Sequence, residues 1–303
     1  MTNSEGAGNF LAQLSDALAA AVERAAASTV TVYARRRVPA SGVVFEGGII
    51  VTADHVIEQE EDIRIGLPDG TTVTGKLVGR DAGTDLAVIR AEGATLSQAG
   101  FSTDPRPGHI VLALGRPGPE GPVVSFGVIT SISGPVRTSR GGQLEGFIRT
   151  DATFYPGFSG GPLVDVSGNV LGINTSAMSR TSGLSLPVAT VQRVASSLVT
   201  HGKVRRGFLG ISSQSVRLAE ALAAKLGGQN TGLLIVGMEA GGPADQGGVL
   251  VGDIVVGLAG EPVRDTDDLQ GLLGGERIGQ ATPLKVLRGG EPHDLSVVVG
   301  ERK

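Results

Sequence analysis

Residues 154–176 read FYPGFSGGPLVDVSGNVLGINTS. One hydroxyl, Ser159, stands among Gly157, Gly160 and Gly161, flanked by Pro156 and Pro162, and an apolar run patterned as strand, turn, strand follows it. Two readings compete. Glycine, proline and serine make tight turns between strands for ordinary conformational reasons. Alternatively, Ser159 is a nucleophile, and the glycines let the chain bend until two backbone N–H groups face one spot that would hold an oxyanion. A motif this short does not decide between them.

The surroundings of this stretch set the fold. From about 29 to 187 the chain repeats short runs rich in Val, Ile, Thr and Leu, among them TVTVYA, GVVFEGGIIVT, DLAVIRA, HIVLALG and NVLGINT, with turn residues between them. That density of brief strands predicts barrels or a sandwich, and the length suits two small antiparallel barrels better than one large one. VATVQRVASSLVTHG then reads as a helix, with Val191, Val194 and Leu198 on one face and Gly202 as its C-terminal cap. Beyond KVRRG the texture changes to mixed strands and helices over roughly 100 residues, enough for a separate small domain. The expected division is an N-terminal amphipathic helix over 1–28, a double-barrel domain over 29–205 and an α+β domain over 206–303. In the helix, Leu11, Leu14, Leu18, Val22 and Ala25 recur at helical spacing, a face to pack on the body or on a neighbouring subunit.

Composition excludes several function classes. The 303 residues are 40% apolar, with a formal charge of −4, two tyrosines, eight phenylalanines and no tryptophan. Neither a broad basic field nor a set of stacking platforms for nucleic acid is evident. Arg35, Arg36 and Arg37 form the one dense basic run, which reads as a solvated loop. Without cysteine there is no disulfide and no thiol chemistry. The four histidines, His55, His109, His201 and His293, lack metal-ligand spacing, so neither a metal nor any other cofactor is expected. No apolar run approaches the roughly 18 residues of a membrane span. No Lys or Arg precedes Arg24, and Asp16 and Glu23 interrupt the apolar face, so the N-terminus does not read as an export signal and a cytoplasmic location is expected.

Ser159 also fits G-x-S-x-G through Gly157 and Gly161, the elbow of α/β-hydrolases. That fold needs its acid and then its histidine after the serine on a parallel sheet, whereas here the region is strand-dense and His201 and His293 lie at a helix end and in a hairpin. The opposite order, His then Asp then Ser, is that of chymotrypsin-type barrels. His55 in IIVTADHVI follows an apolar strand, and Asp85 in GTDLAVIRA opens one. Each has an ordinary alternative: Asp85 could cap a turn, as Asp81 could, and His55 could be a half-buried histidine.

Taken together, TADHV, GRDAGTDLAVIRA, FIRTDATFYPGFSGGPLVD, GNVLGINTS, LSLPVATVQRV and KVRRGFLGI resemble the HtrA/Deg family of trypsin-like serine proteases, in order and approximate spacing over nearly all of 29–303. The resemblance implies a mainly β fold, a chymotrypsin-like double antiparallel β-barrel followed by an α+β PDZ domain. It implies an ATP-independent serine endopeptidase that cleaves unfolded or damaged proteins, in keeping with the lack of a Walker-type phosphate loop. Carried over residue by residue, Ser159 attacks the scissile carbonyl, His55 takes and returns the proton, Asp85 orients His55, and the N–H groups of Gly157 and Ser159 form the oxyanion hole. Thr153 stands where trypsin has its pocket carboxylate; with Phe154, Leu184 and Leu186 as pocket lining, cleavage is expected after small or medium aliphatic residues rather than basic ones.

Gly207, Phe208, Leu209, Gly210 and Ile211 match the carboxylate-binding loop of PDZ domains, which capture peptide C-termini, although the same residues also read as a strand start. The helix with Leu269, Leu272 and Leu273 would border the groove, though core packing fits that spacing equally. The family also implies a homo-oligomer, a trimer or a multiple of one. Two aromatics depart from its pattern: Tyr155 and Phe158 stand where asparagine is usual, which leaves room for a catalytically silent barrel that only binds peptides.

Overall fold

Every residue of Ile49–Ala53 is buried, on both faces of the strand. A computed structural model, describing residues 3–138, 143–144, 146–178 and 183–302, shows why. The strand belongs to a closed barrel, so one face looks into the barrel and the other against a second barrel. Unbroken apolar runs that would be aggregation hazards at a sheet edge are thus covered twice.

The chain divides into two compact units, Met1–Val204 and Arg205–Lys303. The first opens with α1 (Asn3–Ala26). β1 (Thr29–Tyr33), β2 (Ala40–Glu46), β3 (Ile49–Ala53), β4 (Ile63–Gly66), β5 (Thr72–Asp81) and β6 (Leu86–Ala91) close a barrel in the order β1-β2-β3-β6-β5-β4. Then come β7 (Ile110–Gly115), β8 (Val123–Ile132) and a small ribbon of β9 (Val136–Arg137) with β10 (Gln143–Leu144). β11 (Ile148–Thr150), β12 (Pro162–Val164), β13 (Val170–Thr175) and β14 (Gly183–Pro187) complete the second barrel, ordered β11-β14-β13-β12-β7-β8.

Alternation along the strands sorts side chains into three cores. Val30, Val44, Ile50, Ile63, Ile65, Ala87 and Ile89 fill the first barrel, and Val111, Ala113, Ile129, Ile148, Leu163 and Leu171 fill the second. Their neighbours, Ile49, Val51, Leu86, Val88, Leu112, Leu114 and Leu186, pack between the barrels. α2 (Val188–His201) lays Val191, Val194, Ala195 and Leu198 on that same core. Gly202 ends it in the left-handed conformation, φ 71°, and its N–H donates to the Leu198 carbonyl at 2.8 Å.

Among the described side chains of α1, those of its C-terminal half dock on the body. Ala21 and Ala25 are buried and Leu18 and Val22 pack partly against the inter-barrel core, whereas Phe10 and Leu11 are exposed. One of the orphan carbonyls of α1 is met by a buried arginine: Arg116 donates from Nη2 to the Ala26 carbonyl at 3.1 Å, and from Nε to the Thr29 carbonyl of β1 at 2.7 Å. Burial holds the Arg116 guanidinium below its usual range.

In the second unit β15 (Gly207–Phe208) precedes β16 (Ile211–Arg217), α3 (Glu220–Lys225), β17 (Thr231–Met238), α4 (Pro243–Gln246), β18 (Ile254–Leu258), β19 (Glu261–Pro262), α5 (Thr266–Leu272), β20 (Ala281–Arg288), β21 (Glu291–Val298) and β22 (Gly300–Glu301). The main sheet runs β16-β17-β18-β20-β21, which leaves β16 at an edge, and α5 lies against β16. Asp265 caps α5 by accepting the Asp268 N–H at 2.8 Å. Leu269 and Leu273 enter the core of this unit and Leu272 packs partly against it, so the spacing read from the sequence serves core packing.

Candidate active site

The ladder between β3 and β6 pairs Ala53 with Leu86, which places the residues just beyond, Asp54–Val56 and Asp85, side by side. Asp54–Val56 is a short 3-10 turn. Asp85 precedes β6 in the left-handed conformation, φ 56°, a geometry that Asp tolerates better than most residues and that tends to survive where function needs it. Asp81 holds the turn ahead of it by accepting from the Thr84 N–H at 3.1 Å and the Thr84 hydroxyl at 2.7 Å. The ordinary capping role therefore falls to Asp81 and leaves Asp85 available.

Asp85 is nearly fully buried. Its carboxylate accepts the His55 backbone N–H at 2.9 Å, faces His55 Nδ1 at 3.0 and 2.9 Å through its two oxygens, and accepts the Thr175 hydroxyl. A carboxylate that accepts only at Nδ1 places the ring proton there and leaves Nε2 as a lone-pair acceptor. Thr175, the last residue of β13, was not singled out in the sequence; its hydroxyl also accepts the Ala177 N–H at 3.1 Å.

Ser159 comes from the second barrel, on the loop between β11 and β12, and is 8% exposed. The loop is pinned across the barrels by Ser41 of β2. The Ser41 hydroxyl donates to the Gly157 carbonyl at 2.7 Å and accepts the Arg116 N–H at 2.7 Å, while the Ser41 N–H donates to the Ser159 carbonyl at 3.1 Å. No signal in the sequence marked Ser41, a short polar residue in an apolar strand. Gly157 has φ 93°, and a Cβ there would lie 2.6 Å from the Pro117 Cβ, so glycine is required. Among the described residues, no protein acceptor takes the N–H of Gly157 or of Ser159.

Ser159 Oγ lies 3.0 Å from Ser176 Oγ, and Ser176 Oγ lies 3.3 Å from His55 Nε2. Ser159 and His55 are thus linked through the Ser176 hydroxyl, which sequence reasoning also missed.

The two unexpected aromatics separate by burial. Phe158 is 0% exposed, packs in the second barrel core, and presses on Gly115, where a Cβ would lie 2.6 Å from its ring. Tyr155 is exposed and sets its ring edgewise on Phe158 at 5.4 Å. Phe158 therefore anchors the loop from below.

Of the residues expected to line a substrate pocket, Thr153 is exposed and Phe154 half-buried, while Leu184 and Leu186 are 1% and 0% exposed and present no surface to a ligand. A cavity of about 300 Å³ is lined by Asp85 itself together with Ala82, Gly83, Thr138, Phe147, Ala177 and Met178. Among the described residues no cluster of His, Cys, Asp or Glu is arranged to hold a metal ion.

In the second unit Gly207 and Phe208 pair with β22, and Leu209 is buried. The Gly210 carbonyl accepts the Glu239 N–H at 2.8 Å and the Leu209 carbonyl accepts the Ala244 N–H at 2.9 Å. Gly210, φ 74°, turns the chain into the edge strand at Ile211.

Two closed six-stranded barrels with a histidine and an aspartate on one and a serine loop on the other define the trypsin-like class of fold and site. A trypsin-like peptidase domain model matches residues 40–173, and a PDZ domain model matches 207–299. The probable periplasmic DegP-like serine endoprotease of Pseudomonas savastanoi pv. phaseolicola is 34% identical over 272 residues, covering 85% of this chain and 54% of its own. The corresponding protein of Halomonas elongata is 34% identical over 275 residues, 88% of this chain and 57% of its own. The chain thus spans about half the length of the curated relatives it matches.

Among solved structures, the HtrA-type protease AlgW with a decapeptide superposes with a TM-score of 0.80 at 30% identity, over 94% of this chain and 99% of that one. The serine endoprotease of Yersinia pestis gives 0.76 at 30% identity, over 94% and 98%. The chain belongs to the HtrA-type, DegP-like family of serine proteases.

The expected cytoplasmic location is overturned, because these curated relatives are named periplasmic. The segment tested for an export signal is the folded helix α1, with Ala21 and Ala25 in the core, so its composition reports packing and not destination. Among the described residues no helix is long and apolar enough to cross a membrane.

Proposed function

We propose that this protein is an ATP-independent serine endopeptidase acting on unfolded or damaged proteins, with Ser159 as nucleophile, His55 as general base and acid, and Asp85 as the group that orients His55. The observation that carries the reading is the buried Asp85 carboxylate fully engaged by His55 and Thr175, with Ser159 two hydrogen bonds away on the opposing barrel. Proton removal from Ser159 creates an imidazolium beside that carboxylate, which stabilises the charge. The N–H groups of Gly157 and Ser159, which no acceptor takes among the described residues, are the donors for the tetrahedral oxyanion.

Thr153 offers a hydroxyl where a basic side chain would need a carboxylate, which favours cleavage after small or medium aliphatic residues. At the second unit, the turn Gly207–Ile211 and the free edge of β16 suit a peptide C-terminus added as an extra strand. The exposed Phe10 and Leu11 of α1 give a homo-oligomer, trimeric or larger, a surface to bury. The relatives' names put this work in the periplasm. A silent, peptide-binding barrel is the second reading, favoured by the pairing of Ser159 with Ser176 in place of direct contact with His55.

Incubation with a permanently unfolded protein, with cleavage sites read by mass spectrometry, tests the proposal. The wild type is expected to cut at aliphatic positions without ATP and Ser159→Ala to cut nowhere. Equal cutting by both would refute it, and a folded wild type that binds but never cuts supports the silent barrel.

A further inference from the structure

Arg80 stands on β5 opposite Ala87 of β6, and β6 lies between β5 and β3 in the barrel. Its side chain crosses the start of β6 to the turn Asp54–Val56 that carries His55. There the guanidinium donates from Nε to the Asp54 carboxylate, from Nη2 to the Asp54 carbonyl at 3.3 Å and from Nη1 to the Glu60 carboxylate at 3.0 Å. Glu60 is exposed, so its share is small. Asp54 is 3% exposed, and among the described residues Arg80 is the one cation paired with it. Removing that cation would leave a buried carboxylate uncompensated.

The bond to the Asp54 carbonyl reaches the peptide unit that joins Asp54 to His55. Its carbonyl accepts from Arg80, and its N–H, that of His55, donates to the Asp85 carboxylate at 2.9 Å. The Asp54 N–H donates to the Asp85 carbonyl at 3.1 Å, so the preceding peptide is held as well. With both edges of one peptide plane tied, the direction in which the His55 side chain leaves the backbone is set. We propose that Arg80 is a positioning residue for the reaction, clamping from β5 the peptide that Asp85 holds from the start of β6 and so aiming the His55 ring; the inference rests on the endopeptidase reading above. Arg80 touches no reacting atom. Without it the Asp54 carboxylate turns toward water or takes up a proton, the peptide plane loses its second tie, and Nε2 swings from its wild-type direction. An ion pair that served stability alone could sit anywhere in the barrel wall, whereas this one closes on the residue beside the base.

The test compares the full chain as wild type, Arg80→Ala and Arg80→Lys through kcat and KM for a peptide substrate, the second-order rate at which a fluorophosphonate modifies Ser159, and thermal melts. Arg80→Ala is expected to lose about tenfold to a hundredfold in kcat and in modification rate with KM unchanged, the scale of a small misplacement of a reacting group. Arg80→Lys restores a charge on Asp54 but, as an ammonium, not the fork that holds carboxylate and carbonyl together. It is expected to recover the melting temperature and part of the rate, remaining several-fold below wild type. Rates of Arg80→Ala equal to wild type, a loss that falls on KM alone, or an Arg80→Lys enzyme as fast as wild type overturns the clamp. Where Arg80→Ala does not fold, Arg80→Lys decides by the same criterion. Those outcomes leave wild-type labelling intact, whereas failure of the wild type to label at all overturns the endopeptidase reading instead.

Discussion

His55 and Asp85 are joined twice: the Asp85 carboxylate lies 2.9 Å from the imidazole Nδ1 and also accepts the backbone N–H of the same histidine at 2.9 Å. The second bond ties the histidine's backbone to the carboxylate, so the ring is oriented relative to a fixed main chain and cannot swing away on its own turn.

Replacing Asp85 by Asn offers an amide where two oxygens now accept, and the amide N–H favours the wrong tautomer of His55. Activity of Asp85→Asn is expected to fall by about 10⁴-fold with a nearly unchanged melting temperature. Peptide hydrolysis with a parallel thermal melt checks this; a loss of less than tenfold would show that Asp85 does not set the tautomer.

Ser41 holds the Gly157 carbonyl and the Ser159 loop from the other barrel. In Ser41→Ala the Gly157 carbonyl and the Arg116 N–H lose their partner, at a cost of about 1–3 kcal/mol in stability. A loop displaced by a fraction of an ångström is expected to lose about a hundredfold in kcat. Urea unfolding and turnover are the measurements, and an unaltered kcat would remove Ser41 from the account.

Phe158 is buried beneath the same loop. Phe158→Ala is expected to cost about 3–5 kcal/mol by leaving a cavity under the nucleophile. Substitution by Asn at this buried position would place an amide against Gly115 in an apolar core and is expected to destabilise as well. Denaturant midpoints for the two variants decide whether the phenylalanine is an anchor.

In the second unit Arg288 grips Asp253 through Nε and Nη2, both at 2.8 Å, and the Leu250 N–H adds a bond at 2.9 Å. Burial by itself would push the Asp253 carboxyl up, but the hydrogen bonds from Arg288 and Leu250 outweigh it and hold the carboxyl below the usual range. The folded state therefore stays ionised at a pH where the unfolded chain binds the proton. The stability this pair contributes is complete above the unfolded value, about 3.9, and is lost as pH falls from there through the folded value. Hydrogen exchange of the β17 and β18 amides in the intact chain should accelerate over that window, and Asp253→Asn should flatten the dependence; an unchanged profile in the variant would contradict the assignment.

Much of this was legible in the sequence, for identifiable reasons. The barrels announced themselves because IIVTA and LAVIR carry apolar residues on both faces, and only strands covered twice do so. His55 and Asp85 could be singled out because His55 follows β3 by two residues and Asp85 immediately precedes β6, and Ser159 because glycines surround it, one of them in a conformation other residues rarely take. Ser41, Thr175 and Ser176 were not, since a lone hydroxyl in an apolar strand or at its end has no pattern until the barrels close and bring it to a partner. Leu184 and Leu186 were expected at a pocket because proximity in sequence cannot tell which face of a strand looks inward. Location was misjudged because the reading rested on the charges of α1, a folded helix that packs through Ala21 and Ala25 and whose charges do not report destination.

The claim on which all else depends is that Ser159 is an activated nucleophile. Intact-mass measurement after treatment with a fluorophosphonate, followed by peptide mapping, tests it most directly. One adduct per chain is predicted, on Ser159, absent in Ser159→Ala and strongly slowed in His55→Ala. A folded wild type that takes up no adduct, or an adduct that maps to another residue and persists in Ser159→Ala, would contradict the account.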